Sequence, residues 1–322
     1  MSVLIYTENK NGRFKKQSFE LSSYARAIAD LLSVKLYAVT FGSIAEDEIK
    51  AIGDYGVDQV FHISGVAYET FDNQIYSMGI EKVATEVNAA VVIFAHDNSG
   101  KALAPRLSAK LTAGLVSAVI GLPESIEPFI IGKKVFSGKA LARVRVKTDR
   151  KVLTLSPNAF AAQQKDNNIQ ITAFDLQLDE ALLSVKVEES FKQEGKILLT
   201  EADIVVSAGR GMKSADNWGN IEAFAEILGA ATACSRPVSD EGWRPHAEHV
   251  GQTGKVIAPN LYFAFGISGA IQHIAGVSSS KVIVAVNKDP EAPVFETADY
   301  GIVGDVNKVL PQLIEAAKEL NS

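Results

Sequence analysis

The sequence predicts an α/β protein of two domains, each built on a parallel sheet. Three observations carry this. Short apolar runs alternate with segments of helical periodicity from the N-terminus to about residue 111, and again beyond residue 200. The runs are apolar almost throughout, as strands covered on both faces must be. A chain of 322 residues also suits two domains better than one. We expect a first domain over 1–190 and a second over 191–322, with the charged stretch 182–195 at the boundary.

In order, VLIY at 3–6 reads as a strand. The segment 19–32 reads as a helix, with Leu21, Tyr24, Ala25, Ile28, Leu31 and Leu32 at helical spacing. LYAVTF at 36–41 is a strand, 44–52 a helix, 59–63 a strand and 74–87 a helix. AAVVIFA at 89–95 is the most apolar strand of this half. His96 to Gly100 then form a polar turn at a strand's carboxyl end, where open α/β sheets hold ligands. A plain strand-to-helix turn is the simpler reading, with Ser99 capping a helix over 101–111.

From 113 to 176 short β-rich pieces are broken by Gly, Pro and charged pairs, and extend the first sheet or form an antiparallel edge. ARVRVK at 142–147 alternates strictly, which puts Arg143, Arg145 and Lys147 on one solvated face. The second unit opens with a strand at 204–206 and the turn Ser207-Ala-Gly-Arg-Gly211. A helix over 217–228 follows, with Trp218, Ile221, Phe224, Ala225 and Leu228 on one stripe. A strand at 282–286 and a helix over 308–320 close the chain.

Composition excludes several functions. A net charge of −6 without a basic stripe argues against nucleic acid. The single cysteine, Cys234, excludes an internal disulfide and fits a reducing compartment. It reads as a packed small residue, although Arg236 nearby could lower its pKa. The start MSVLIYTE lacks the layout of a secretory or transit segment, and no apolar run reaches membrane-spanning length, so a cytoplasmic location is expected. His246, His249 and His273 lack zinc-ligand spacing, and no metal site is expected. There is no nucleophile elbow and no carboxylate pair.

What the second unit offers is donors on glycine turns. Gly209 and Gly211 allow close backbone approach, and Arg210 between them presents a planar fork of N–H groups. In GISGA, Ser268 is either an N-cap or, with Gly269, part of a phosphate cradle. Two such turns in one small domain favour a dinucleotide. Val250 to Gly254 adds an amide and a hydroxyl, Ser235 and Arg236 follow an apolar run, and His273 lies one helical turn beyond the cradle. An NAD(P)-dependent oxidoreductase would need G-x-G-x-x-G and a later acid for the ribose, and neither stands in that context. A non-redox nucleotide-binding module is the third alternative.

The run RPVSDEGWRPHAEHVGQTGKVIAPNLYFAFGISGAIQHIAG, followed by VIVAVNKDPEAPVFETADYGIVGD, closely resembles the alpha subunit of electron-transfer flavoproteins. VGQTGK, GISGAIQH and NKDP-x-AP occur in the family's order over about 203–310. The resemblance implies a nucleotide-hydrolase-like N-terminal domain that contacts a beta subunit, and a C-terminal domain that binds FAD. It implies that Arg210, Ser268, Gly269 and Ala270 lie along the pyrophosphate, and that Ile271 and Gln272 also contact the cofactor. Asn287 and Asp305 would hold the adenosine end. Val250, Gly251, Gln252, Thr253, Ser235, Arg236 and His273 would surround the isoalloxazine, where Arg236 and His273 could stabilise an anionic semiquinone. The implied role is an electron carrier, not an enzyme, paired with an electron-transfer flavoprotein beta subunit in a heterodimer. Donors would be acyl-CoA dehydrogenases of fatty acid β-oxidation or other flavin dehydrogenases, and the acceptor a membrane quinone oxidoreductase. A variant within the family bifurcates electrons from NADH.

Overall fold

The computed structural model describes residues 1–136, 138, 140–165, 167–177 and 197–320. The chain divides into two compact units, Met1–Val135 with Ala140–Phe191, and Lys192–Ser322 with Phe136–Lys139. The charged stretch 182–195 expected at the domain boundary lies outside the described residues.

The first unit begins with β1 (Ser2–Tyr6), a hairpin of β2 (Asn9–Lys10) and β3 (Arg13–Phe14), and α1 (Lys16–Leu32). Next come β4 (Leu36–Phe41), α2 (Glu46–Ala51), β5 (Gln59–Ile63), α3 (Asn73–Glu86), β6 (Ala89–Ala95) and α4 (Asn98–Leu111). The β-rich part contributes β7 (Gly114–Val119), β8 (Ser125–Ile126), β9 (Phe129–Val135), β10 (Ala140–Val146), β11 (Lys151–Leu155) and β12 (Gln170–Ala173).

The sheet runs β10-β9-β7-β11-β6-β1-β4-β5-β12, with β8 beside β9. It is parallel from β7 to β12 and carries an antiparallel margin of β8, β9 and β10, so the pieces over 113–176 both extend the parallel sheet and form its antiparallel edge. Alternation on β1 explains the two covering layers. Val3 and Ile5 meet Leu21, Tyr24 and Ile28 of α1 on one face. Leu4 and Tyr6 share the other with Ile80 and Val83 of α3 and Leu103 and Leu107 of α4. The arginines of β10 face solvent, and Arg143 pairs with Glu124 at 3.0 Å. Ser99 does not cap α4. Asp97 does, its Oδ1 accepting from the Gly100 N–H at 2.8 Å, because the helix starts one residue before Ser99.

The second unit contains β13 (Ile204–Ala208), α5 (Gly219–Ile227), β14 (Ala231–Cys234), α6 (Arg236–Asp240), β15 (Leu261–Phe265), α7 (Ile271–Val277), β16 (Val282–Asn287), β17 (Tyr300–Val303) and α8 (Val306–Leu320). Trp218 closes a short 3-10 turn ahead of α5 and does not belong to the helix itself. All five strands are parallel, in the order β14-β13-β15-β16-β17. Val205, Tyr262, Ala264 and Ile283 face α7. Val206, Phe265 and Val286 face α5 and α8 through Phe224, Leu310 and Ile314. The chain steps from β13 outward to β14 and then back past β13 to β15. The switch point, where ligands settle in such sheets, therefore lies at the carboxyl ends of β13 and β15.

Candidate functional site

Two turns meet at that switch point. The Gly209 N–H donates to the Phe265 carbonyl at 2.9 Å, and the Gly211 N–H to the Gly266 carbonyl at 3.0 Å. A Cβ on Gly211 would lie 2.5 Å from the Gly266 Cα, and one on Gly209 2.5 Å from the Gly266 oxygen. Neither Gly209 nor Gly211 has a positive φ, whereas Gly266 does, at +60°. Their glycine character serves the packing of one turn on the other before it serves any ligand.

Above these turns is a cavity of about 550 Å³. Its walls come from the ends of β13 (Arg210, Gly211), β14 (Ser235, Arg236, Pro237), β15 (Gly266, Ile267, Ser268) and β16 (Asn287, Lys288, Asp289), and from the loop His249–Thr253. A second cavity of about 420 Å³ continues from it along Arg210, Gly211, Gly266, Asn287 and Lys288, and reaches Lys213, Asp305 and Val306. Five shared residues make the pair one elongated trough. Among charged side chains the larger cavity offers Arg210, Arg236 and Lys288 against Asp289 alone. This donor-rich, acid-poor wall suits an anionic ligand.

The loop after α6 is held in shape by the sheet and by α7. The Val250 N–H donates to the Cys234 carbonyl at 3.0 Å, which extends the edge of β14, and the Gln252 N–H donates to the Gln272 carbonyl at 2.7 Å. A Cβ on Gly276 would lie 2.5 Å from the Gly251 Cα, so α7 rests directly on this loop. Gln252 and Thr253 are left exposed at its tip, at the cavity wall. Cys234 below is fully buried, and burial pushes its thiol up to about 12, so Arg236 does not activate it.

Of the fifteen residues expected at the site, twelve line the larger cavity: Arg210, Ser235, Arg236, Val250, Gly251, Gln252, Thr253, Ser268, Ala270, Gln272, His273 and Asn287. Asp305 borders the smaller one. Ile271 is 72% exposed and borders neither cavity. Gly269 has φ +85°, and its missing Cβ would lie 2.2 Å from the Val294 nitrogen, so it accommodates that turn and lines neither cavity. Ser268 caps no helix; α7 begins after Ala270 and lacks a side-chain cap. Sequence reasoning missed His249, Lys288, Asp289 and Pro293. The signal for the last three is the motif NKDP-x-AP itself, of which the resemblance singles out only Asn287.

Several expected roles shift. The Asn287 amide donates to the Ile267 carbonyl at 2.9 Å and its oxygen accepts from the Asp289 N–H at 3.0 Å, so it fastens the two turns. Asp305 takes the Asn307 N–H at the start of α8 and pairs with Lys213 at 3.0 Å, which together hold its carboxyl below the usual range. Both residues shape the trough before they hold anything in it. Arg236 is exposed and has one acidic neighbour, Asp240, at 3.3 Å. His273 differs most. It is 7% exposed, its Nε2 lies 2.8 Å from the Tyr262 hydroxyl, and burial drives its pKa down to about 4, with His249 adding to the effect and the Val250 backbone opposing it. At neutral pH it brings no charge, so Arg236 alone of that pair is a cation.

Residues 198–278 match the family described as "Electron transfer flavoprotein FAD-binding domain", and residues 3–179 match "Electron transfer flavoprotein domain". The electron transfer flavoprotein subunit alpha of Bacillus subtilis (strain 168) is 38% identical over 322 residues, covering 99% of this chain and 98% of its own. That of Pseudomonas aeruginosa PAO1 is 34% identical, with 98% and 100% covered. The lactate dehydrogenase (NAD(+),ferredoxin) subunit LctC of Acetobacterium woodii is 30% identical, with 97% of this chain and 76% of LctC covered. The chain belongs to the electron-transfer flavoprotein alpha-subunit family.

Proposed function

We propose that this chain is the FAD-holding subunit of a two-subunit electron carrier, completed by an electron-transfer flavoprotein beta subunit. One observation carries the reading: the two cavities at the switch point join along Arg210, Gly211, Gly266, Asn287 and Lys288, and so accept a long ligand with an anionic middle. The residues present fit FAD. Three cations face one carboxylate in the larger cavity, and Gly211 and Gly266 line its wall with no side chain of their own.

FAD, when bound, supplies the capacity to take up and release electrons singly or in pairs. In this reading Arg210, Ser268 and Ala270 hold the diphosphate, with Lys288 nearby. Lys213 and Asp305 border the adenosine end. The Thr253 hydroxyl and the Gln252 amide present hydrogen-bonding groups on a loop anchored to β14 and α7. Arg236 supplies positive charge at a wall otherwise made of Ser235, Val250 and His273. Burial holds the Cys234 thiol protonated and lowers the basicity of His273, so neither is a strong base at neutral pH. Flavin dehydrogenases, including acyl-CoA dehydrogenases, are the donors of this reading and a quinone oxidoreductase its acceptor. Among the described residues no helix is long and apolar enough to cross a membrane.

The test is co-expression with a beta-type subunit, purification, and visible spectra during stepwise reduction. A yellow complex that bleaches reversibly is expected. A colourless complex that takes up no added FAD defeats the proposal. The likeness to LctC motivates one added step, anaerobic addition of NADH, which reduces the flavin directly only in a bifurcating assembly.

A further inference from the structure

We propose that Tyr262 is a positioning residue for the flavin site: its hydroxyl donates to Nε2 of His273 and so holds the ring, which borders the cavity, in its neutral Nδ1–H tautomer. The functional weight of this inference rests on the FAD reading above. Its physical basis does not.

Tyr262 lies on β15 in the middle of the sheet and is 1% exposed. His273 lies on α7, packed over the same face, with its ring centroid 6.1 Å from that of Tyr262. The hydroxyl and Nε2 are 2.8 Å apart in a buried contact. Either atom could be the donor there, and the surroundings decide which. On β13 the fully buried Ser207 hydroxyl lies beside the Tyr262 oxygen and has no hydrogen bond of good geometry. On the other side, Nδ1 of His273 is buried next to the Val250 backbone, also without a hydrogen bond of good geometry.

Two donor directions can be compared. If Nε2–H donated to Tyr262, the phenol proton would turn to Ser207, whose own proton would then lack an acceptor. Nδ1 would also present a lone pair to the Val250 carbonyl. If instead Ser207 donates to Tyr262 and Tyr262 to Nε2, each buried proton is turned towards an acceptor, even where the geometry falls short of a full hydrogen bond, and Nδ1–H faces the Val250 backbone. Leaving a buried donor or acceptor unmatched costs far more than a good match returns, so the second direction prevails. Burial of Tyr262 raises its pKa, which keeps the phenol a donor at every working pH. The imidazole stays uncharged for the reason already given. The ring in the wall is therefore neutral rather than a cation, with its one N–H turned inward to the Val250 backbone and its tautomer set from inside the sheet.

The experiment is 15N-histidine NMR on the flavin-loaded heterodimer, with the His273 signals assigned by their absence in His273→Asn. The expected wild-type spectrum has Nδ1 protonated and Nε2 bare, unchanged between pH 5.5 and 8. In Tyr262→Phe the ring loses its fixed tautomer, with at least a tenfold loss of Nδ1–H preference, and the flavin midpoint potential moves. Ser207→Ala retains the wild-type tautomer. An Nε2–H tautomer or an imidazolium in the wild type at neutral pH overturns the inference. So does a flip in Ser207→Ala, which would mean that Tyr262 had been donating to Ser207. The wild-type and Ser207→Ala spectra decide the matter even if Tyr262→Phe does not fold. Loss of the yellow chromophore together with an Nδ1–H His273 would defeat the FAD reading and leave the tautomer assignment standing.

Discussion

The Gly211 amide donates to the Gly266 carbonyl at 3.0 Å, and there is no room for a methyl group on either glycine. This backbone contact joins the ends of β13 and β15 and forms the floor shared by both cavities. Gly211→Ala must push the turns apart by an ångström or more. We expect a loss of about 1–3 kcal/mol in stability, typical of overpacking, with FAD affinity falling at least tenfold. Thermal melts and flavin retention on gel filtration measure both. Wild-type retention in the variant would show that the floor is not needed for binding.

Arg236 gives a contrasting case. Its guanidinium is exposed and its pairing with Asp240 is a surface contact. Arg236→Ala should cost under about 1 kcal/mol in stability. Removing a cation from the flavin wall makes electron uptake harder, so the midpoint potential should fall by about 60 mV, equivalent to a tenfold change in a one-electron equilibrium. Potentiometric titration reads this directly. An unchanged potential would remove Arg236 from the electrostatics of the site.

Acid should weaken the second unit through His273. Its pKa is near 4 when folded and near the ordinary 6.5 when unfolded. The unfolded chain therefore binds the extra proton first. Stability is complete above about pH 6.5 and is lost as pH falls towards 4, by on the order of 2–3 kcal/mol. His273→Asn should flatten that part of the profile. In the first unit the effects oppose each other. His96 is likewise lowered to about 4 by burial, but Asp97 is raised to about 6, by burial and by Glu8. Acidification relieves the Asp97 carboxylate while it penalises His96. Denaturant melts at pH 7, 6 and 5 should then show one unit weakening more than the other.

Arg244 anchors the turn ahead of the loop His249–Thr253. It pairs with Glu248 through Nε at 2.8 Å and Nη2 at 2.8 Å, reaches Glu222 at 2.8 Å, and lies 5.5 Å from the Trp218 ring. Glu248 is 5% exposed. Arg244→Ala strips its charge partner from a buried carboxylate and should destabilise the chain by about 3–5 kcal/mol. Arg244→Lys cannot restore the two-pronged contact and should recover only part. Chemical denaturation of the three proteins ranks them.

Much of this was legible in the sequence, for physical reasons that also define the limits. Ala89–Ala95 could be read as a strand because burial on both faces leaves no polar position. GISGAIQH marked the second turn because its glycines and Ser268 cannot continue a helix. Pairing order was not legible: nothing local in KVLTL says that β11 enters between β6 and β7. The strand β17 was missed because YGIV is four residues long and exposed at the sheet edge. Gly269 reads as a ligand contact in the sequence because Val294, the residue that requires a glycine there, lies 25 positions further on. His273 was read as a possible cation because its depth beneath the surface, and its contact with Tyr262, are properties of packing.

The order of strands also governs when the site can exist. The trough borrows its walls from the ends of β13, β14, β15 and β16, and its far end from the start of α8. During synthesis, Arg210 and Gly211 emerge long before Asn287, Lys288 and Asp305. A growing chain that has not yet released Asn287, Lys288 and Asp305 lacks one wall of the trough, so the ligand site forms only after the segments on both sides of β16 are out.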